Sequence, residues 1–155
     1  MTPMIRIGFG YDSHAVDPAR TLILGGIKFE NISGLKGHSD ADVLVHAIID
    51  AILSASGQGD IGEHFPDTDP GYENISSLEL LRESIPSDWN IEQIDATVIC
   101  DQPKILPERS RIIASLKSVL GQNVQITVKG KSTEKLGFLG RGEGIVAFAV
   151  ALLSK

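Results

Sequence analysis

A chain of 155 residues, 42% hydrophobic and 22% charged, is long enough for one packed domain and too short for two. Its net charge of −6 argues against a nucleic-acid-binding face, and no run of about 18 apolar residues is present to span a membrane. The single cysteine, Cys100, excludes an intrachain disulfide, and MTPMIRIGFG lacks the apolar core of a leader, so the expected location is the reducing cytoplasm.

In chain order, MIRIGFGYD reads as a strand with Ile5 and Ile7 on one face, and TLILGGIKFE as a hairpin of two short strands about Gly25-Gly26. From Ser39 to about Ser54, the residues Val43, Ala47, Ile48, Ala51 and Ile52 recur at helical spacing. Ser39 is the expected N-cap, with Asp42 as its capping-box-like partner. The stretch GQGDIGEHFPDTDPGYENIS holds too much Gly, Pro and Asp for regular structure and reads as a long loop. SSLELLRESI then reads as a short helix, IDATVICD as a strand, PERSRIIASLKSVL as a helix with Pro107 near its first turn, and NVQITVKG as a strand. GIVAFAVALL is apolar throughout; its length and β-branched content allow a buried strand or a helix, and the strand is preferred. The expected fold is α+β, one domain over residues 1–155 with helices on one face of a mixed sheet. The last strand is apolar on both faces while the helices cover only one, which predicts a homo-oligomer.

Asp12 and His14 are two residues apart and share a face if the strand continues, and His46 lies one or two turns into the first helix. One carboxylate with two imidazoles suits a borderline metal, zinc best, and three protein ligands leave a fourth position open. Asp42 and Asp50, four residues either side of His46, are candidates to accept its other ring N–H. The bland alternative for D-x-H is a turn carboxylate beside a surface histidine. In GDIGEHFPDTDP, Asp60, Asp67 and Asp69 surround Phe65. That composition fits either the wall of a polyol pocket or a solvated loop with Asx turns, with Glu63 and His64 as surface residues. KGKSTEKLGFLGRGEG offers Lys129, Lys131, Ser132, Thr133, Glu134 and Arg141 among glycines that let backbone N–H groups approach an anion, without the Walker A spacing. A nucleophile elbow, H-E-x-x-H and a Rossmann fingerprint are all missing, and Cys100 ends an apolar strand where burial is expected. An enzyme built this way supplies no covalent nucleophile.

Five motifs occur in a fixed order: D-x-H after the first strand, H-S-D-x-D-V-x-x-H-A-x-x-D-A, G-D-I-G-x-x-F-P-D-T-D-P, P-K-x-L-P, and E-K-L-G-F-x-G-R-G-E-G. Together they resemble the 2-C-methyl-D-erythritol 2,4-cyclodiphosphate synthase family of the non-mevalonate isoprenoid pathway, over about residues 5 to 153. The resemblance implies a homotrimer with its sheets facing the three-fold axis and active sites between subunits. It also implies zinc on Asp12, His14 and His46, and magnesium or manganese on Glu134 and the substrate phosphates. His38 and Ser39 match phosphate contacts, and Asp60, Gly62, Phe65, Pro66, Asp67, Thr68 and Asp69 match the methylerythritol pocket. Cys100 to Leu106, with Lys104 and Ile105, match the cytidine pocket.

The implied reaction converts 4-diphosphocytidyl-2-C-methyl-D-erythritol 2-phosphate to the cyclic diphosphate with release of CMP, with His38 and Ser132 as catalytic residues. Ser132 stands where the family has a threonine. It keeps the hydroxyl and loses the methyl that restricts its rotamers, while Lys131 beside it adds a cation and Thr133 follows. Phe138 and Arg141 match positions facing an axial cavity proposed to hold an isoprenoid diphosphate; the alternative for Arg141 is a pair with Glu143. Two further readings of the same residues are a zinc phosphohydrolase releasing CMP and a non-catalytic isoprenoid-diphosphate sensor.

Overall fold

The structure, a computed structural model, describes residues 2–155; the expected domain over 1–155 includes Met1, which lies outside the described residues. Strand β1 (Ile5–Leu24) is much longer than its sequence suggests and joins the first expected strand to the first arm of the hairpin. The join is possible because the strand changes partners. Residues 5–15 pair antiparallel with β5 (Gly144–Ser154), and from Val16 onward the partner is β2 (Ile27–Leu35). Pro18, which has no N–H to give, falls in the register shift between Asp17 and Thr21. The β1–β2 turn is made by Gly25 and Gly26 at φ 59° and 78°, the left-handed pair that a tight twisted hairpin requires.

The sheet runs β2-β1-β5-β3-β4, with β3 (Asn90–Ile99) antiparallel to β5 and parallel to β4 (Gln125–Lys131). The expected α+β fold with a mixed sheet is thus present. Helix α1 (Val43–Ala55) lies across β1 and β5, with α3 (Ser77–Glu83) against it and α4 (Arg109–Leu120) over β4. Pro107 sits in a 3-10 turn, Leu106–Glu108, that leads into α4.

The contact between α1 and β1 is backbone on backbone. A Cβ on Gly8 would collide with the Ala51 carbonyl oxygen, and one on Gly10 with the Ala47 carbonyl oxygen. Ala47, Ala51 and Ala55, four residues apart, complete the fit from the helix side and are wholly buried or nearly so. The odd positions of β1 point the other way. Ile7 is 70% exposed, and Ile5, Phe9 and Tyr11 are about half exposed, with Phe148 of β5 packed on Phe9 and Tyr11 at 5.9 and 5.3 Å. This is the uncovered apolar face that the sequence of β5 implies.

Three local expectations are corrected. Helix α1 starts four residues after Ser39, because Ala41 takes a left-handed φ of 57° that interrupts any helix there. Asp42 is the N-cap instead. Its carboxylate accepts from Val45 N–H at 3.1 Å and from Gly25 and Gly26 N–H at 2.9 and 2.7 Å, which fastens the helix to the hairpin turn. Burial and the nearby Asp40 charge push Asp42 up to about 6, against the pull of those three donors. The acidic loop is also more regular than its composition suggests. Asp60 caps the single turn α2 (Ile61–His64), accepting from Glu63 N–H at 3.0 Å, and Asp69 caps a 3-10 turn, accepting from Gly71 N–H at 2.8 Å. A further single turn, α5 (Gly137–Gly140), falls inside the glycine-rich segment. No helix among the described residues is long and apolar enough to cross a membrane.

Since the sheet and α1 touch at Gly10 without a side chain between them, Gly10→Ala should destabilise the fold by about 3 kcal/mol, the upper range for overpacking. Denaturant titration against the wild type measures this. A variant as stable as the wild type would mean that the helix is free to shift.

Candidate active site

Asp12 and His14 extend the same face of β1 that carries Gly8 and Gly10. Gly8 meets Ala51 and Ala55, and Gly10 meets Ala47 and Ala51, so strand and helix run in opposite directions. The next rung along the strand, Asp12, therefore reaches the first turn of α1, where His46 stands. Asp12 Oδ2 lies 2.8 Å from His14 Nε2 and 3.1 Å from His46 Nδ1, and the two ring nitrogens are 3.3 Å apart. Among the described residues these three form a group able to hold a metal ion. The donor set fits: ligand bonds of about 2.0–2.1 Å in a tetrahedral site put neighbouring donors about 3.3 Å apart.

Each imidazole is held from behind. His14 Nδ1 donates to the Lys36 carbonyl at 2.7 Å, which leaves the Nε2 lone pair facing the cluster. His46 Nε2 meets Ser77 Oγ at 2.8 Å and Ser39 Oγ at 3.1 Å. Neither Asp42 nor Asp50 takes this N–H, contrary to the expectation from helical spacing. Asp42 is spent on the helix cap, and Asp50 accepts from Ile61 N–H at 3.2 Å. The side chain of His46 turns its far nitrogen toward the 39–40 loop and the start of α3, contacts that lie 31 residues away for Ser77 and carry no local signal.

Burial works to raise the Asp12 carboxyl, but hydrogen bonds from His14 and His46 outweigh it and hold it at about 2. Burial works to lower His14, and the Asp12 hydrogen bond and charge override it, so His14 titrates above its usual 6.5.

A pocket of about 490 Å³ opens beside the cluster. Its walls include His38 and Ser39 on one side and Gly62, Phe65, Pro66 and Asp67 of the acidic loop on the other. Phe65 is braced edge-on against Tyr72 at 5.3 Å, and His38 Nε2 donates to the Asp69 carbonyl at 3.0 Å. Arg20, which the sequence did not single out, clamps the Gly37 and Ser39 carbonyls at 2.8 and 2.6 Å and so fixes the loop that carries His38. Lys36 also lines this pocket, while Asp60, Thr68 and Asp69 do not; Asp60 and Asp69 act as caps.

A second pocket, about 270 Å³, gathers Cys100, Lys104, Ile105 and Leu106 with Lys131 and Ser132. The parallel pairing of β3 and β4, which aligns Ile99 with Lys131, brings these two segments together. Arg109 adds a further cation here, unforeseen from sequence. The buried Cys100 thiol donates to the Pro103 carbonyl at 3.3 Å, and burial pushes it up to about 11, so it is inert as expected.

The residue family model described as the YgbB family matches residues 5–154. The chain belongs to the YgbB family. A relative from Azoarcus sp. (strain BH72), named 2-C-methyl-D-erythritol 2,4-cyclodiphosphate synthase, is 50% identical over 97% of this chain and 96% of its own. One of the same name from Syntrophotalea carbinolica is 50% identical over 98% and 96%. Among solved structures, the IspF–CDP complex of Plasmodium falciparum is similar with a TM-score of 0.78 and 39% identity, covering 99% of this chain and 97% of that one. The bifunctional IspDF of Campylobacter jejuni is similar with a TM-score of 0.92 and 38% identity; the fit covers 99% of this chain but only 43% of that longer one.

In this YgbB-family chain the remaining motif residues lie apart from the metal-type cluster. Glu134, at a left-handed φ of 54°, is exposed and is not part of the Asp12 group. Thr133 Oγ1 donates to the Leu136 carbonyl at 2.7 Å. Phe138 is half exposed, and Arg141 forms an ion pair with Glu143, the alternative anticipated for it. Glu63 is exposed, and His64, also exposed, donates to the Gln58 carbonyl at 2.8 Å.

The raised His14 makes metal binding compete with a proton. Zinc affinity should weaken as pH falls through the imidazole range, with the decline beginning above 6.5. Without metal the sign reverses: the His14–Asp12 pair stabilises the fold fully below 6.5, and its contribution is lost as pH rises through the folded value. Chelator competition and thermal unfolding between about pH 5 and about pH 8 measure both trends. Affinity that is flat across this range would show that His14 is not a ligand.

Proposed function

We propose that the protein converts 4-diphosphocytidyl-2-C-methyl-D-erythritol 2-phosphate into 2-C-methyl-D-erythritol 2,4-cyclodiphosphate and CMP, as a phosphorus–oxygen lyase. The observation that carries this is the convergence of Asp12, His14 and His46 at the floor of a pocket walled by the F-P-D-T-D-P loop. Relatives 50% identical, matched over 96% of their own length, bear the name of that activity. An oxygen of the 2-phosphate forms a bond to the β-phosphorus, and the bond from that phosphorus to the bridging oxygen breaks. CMP leaves with the electron pair. The nucleophile belongs to the substrate, which suits a site with no activated serine or thiol.

Asp12, His14 and His46 would hold zinc, and Glu134 with the substrate phosphates would hold magnesium or manganese, the two cations together supplying charge stabilisation at the β-phosphate and near the leaving group. The chain's own task is positioning. His38 and Ser39, steadied by the Arg20 clamp, bind the phosphate above the cluster. Phe65, Pro66 and Asp67 close on the methylerythritol, exclude water and so favour ring closure over hydrolysis. The second pocket takes the cytidine, with Lys104 and Lys131 near its phosphates.

What supports Ser132 as the hydroxyl donor to the reacting phosphates is the state of its neighbours. Ser132 Oγ accepts from Glu134 N–H at 3.3 Å and keeps its own proton to give, whereas the Thr133 proton is already given to the Leu136 carbonyl. The two pockets are separate within one chain, and the apolar face of β1 and β5 is uncovered. Both observations support a homotrimer in which the cytidine pocket and Glu134 of one subunit complete the metal-bearing pocket of the next.

Phosphorus NMR of the protein with the cytidylyl substrate, zinc and magnesium tests the reaction. Equimolar CMP with a coupled pair of cyclic-diphosphate resonances is expected, and CMP with linear phosphates would make the protein a hydrolase. Ser132→Ala should lower kcat by about 100-fold with KM little changed, the loss typical of one transition-state donor. Ser132→Thr should retain most of the activity. Equal losses in both variants would remove Ser132 from the reaction.

A further inference from the structure

We propose that Asp40, acting through Ser77, selects which nitrogen of His46 is presented to the metal, a positioning role that rests on reading Asp12, His14 and His46 as the metal site. Ser77 is fully buried at the start of α3. Its backbone N–H donates to Asp40 Oδ2 at 2.9 Å and its hydroxyl donates to Asp40 Oδ1. A carboxylate only accepts, and a hydroxyl has one proton. With that proton committed to Asp40, Ser77 can offer His46 only a lone pair, and the contact at 2.8 Å requires the hydrogen to be on His46 Nε2. A neutral His46 then has its free lone pair on Nδ1, the nitrogen that faces Asp12 and His14.

The relay has an opponent. Asp12 Oδ2, 3.1 Å from Nδ1, favours a proton there, which would block ligation. Ser39 cannot settle the choice, although its Oγ is 3.1 Å from Nε2, because its own proton is free and the hydroxyl can donate or accept. Only the Asp40–Ser77 pair has a fixed polarity. Asp40 is itself held, accepting from Asp42 N–H at 3.1 Å beside the helix cap, so the same loop that starts α1 orients its histidine.

The test is zinc affinity by chelator competition on the full chain, for wild type, Asp12→Ala, Ser77→Ala and Asp40→Asn. Ser77→Ala leaves Nε2–H with Ser39 as its remaining acceptor, and affinity should fall about 10-fold; Asp40→Asn should cost about 100-fold, the upper end for groups that orient a metal ligand. The larger loss is expected from the isosteric change, because an amide N–H donating to Ser77 frees the serine proton to point at Nε2 and imposes the wrong tautomer. A role in packing alone predicts the opposite order. In zinc-free protein labelled with nitrogen-15 histidine, at a pH where the ring is neutral, wild-type His46 should carry its hydrogen on Nε2, and Ser77→Ala should shift the population toward Nδ1–H; this readout decides the matter if Asp40→Asn does not fold.

Wild-type affinity in both variants, or the reversed order, overturns the relay while a loss in Asp12→Ala leaves the metal site standing. No zinc binding by wild type, or undiminished binding by Asp12→Ala, overturns both.

Discussion

The fold depends on one contact, the close approach of α1 to β1 across Gly8 and Gly10. Two glycines inside a strand are costly, about 0.5–1 kcal/mol each relative to alanine, and they leave nothing to pack except backbone. That absence is what the helix uses. With alanines at 47, 51 and 55 set against them, the helix axis sits closer to the sheet than larger side chains would permit. His46 begins on a helix face that is almost wholly buried, and at this spacing its ring reaches the next rung of the strand. A wider separation would move the ring away from Asp12. The geometry of the polar cluster is therefore a consequence of how the apolar part packs.

Around that contact the buried polar side chains of Asp42, His46 and Ser77 each have partners. Asp42 answers three backbone N–H groups and ties the helix start to the hairpin turn. Asp12 stands between two imidazoles, and each imidazole is held from its other side by a carbonyl or a hydroxyl. Such a network is rigid because removing any member strands a buried group. Rigidity is the property that a reaction carried by the substrate's own phosphate needs from its protein. The walls differ in kind. The acidic loop is built from short capped turns on the surface.

The features legible in the sequence are those set by short-range periodicity. Alternation along GFGYDSH places Asp12 and His14 on one side, helical spacing places His46 inward, and Gly25-Gly26 marks its turn without help from the rest of the chain. GIVAFAVALL has no alternation to read, and only its length and β-branched residues favour a strand over a helix. What was not legible depends on distant partners. A twenty-residue β1 emerges only because β5 and β2 take over from one another along it. Ser39 reads as a helix cap because nothing local reveals the left-handed Ala41 after it. Helical spacing nominated Asp42 and Asp50 as supports for His46, but the side-chain direction and a loop from far along the chain assign the task to Ser77. The difference between Ser132 and Thr133 likewise rests on where the Leu136 carbonyl lies, which no motif encodes.

Anomalous X-ray diffraction at the zinc edge, from crystals of the zinc-loaded protein, will show whether the glycine-mediated packing of α1 on β1 builds a metal site. One strong peak is expected, about 2.0–2.1 Å from Asp12, His14 Nε2 and His46 Nδ1. A peak at another histidine, such as the half-buried His38 or the exposed His64, or none at the cluster, would show that the packing builds no such site.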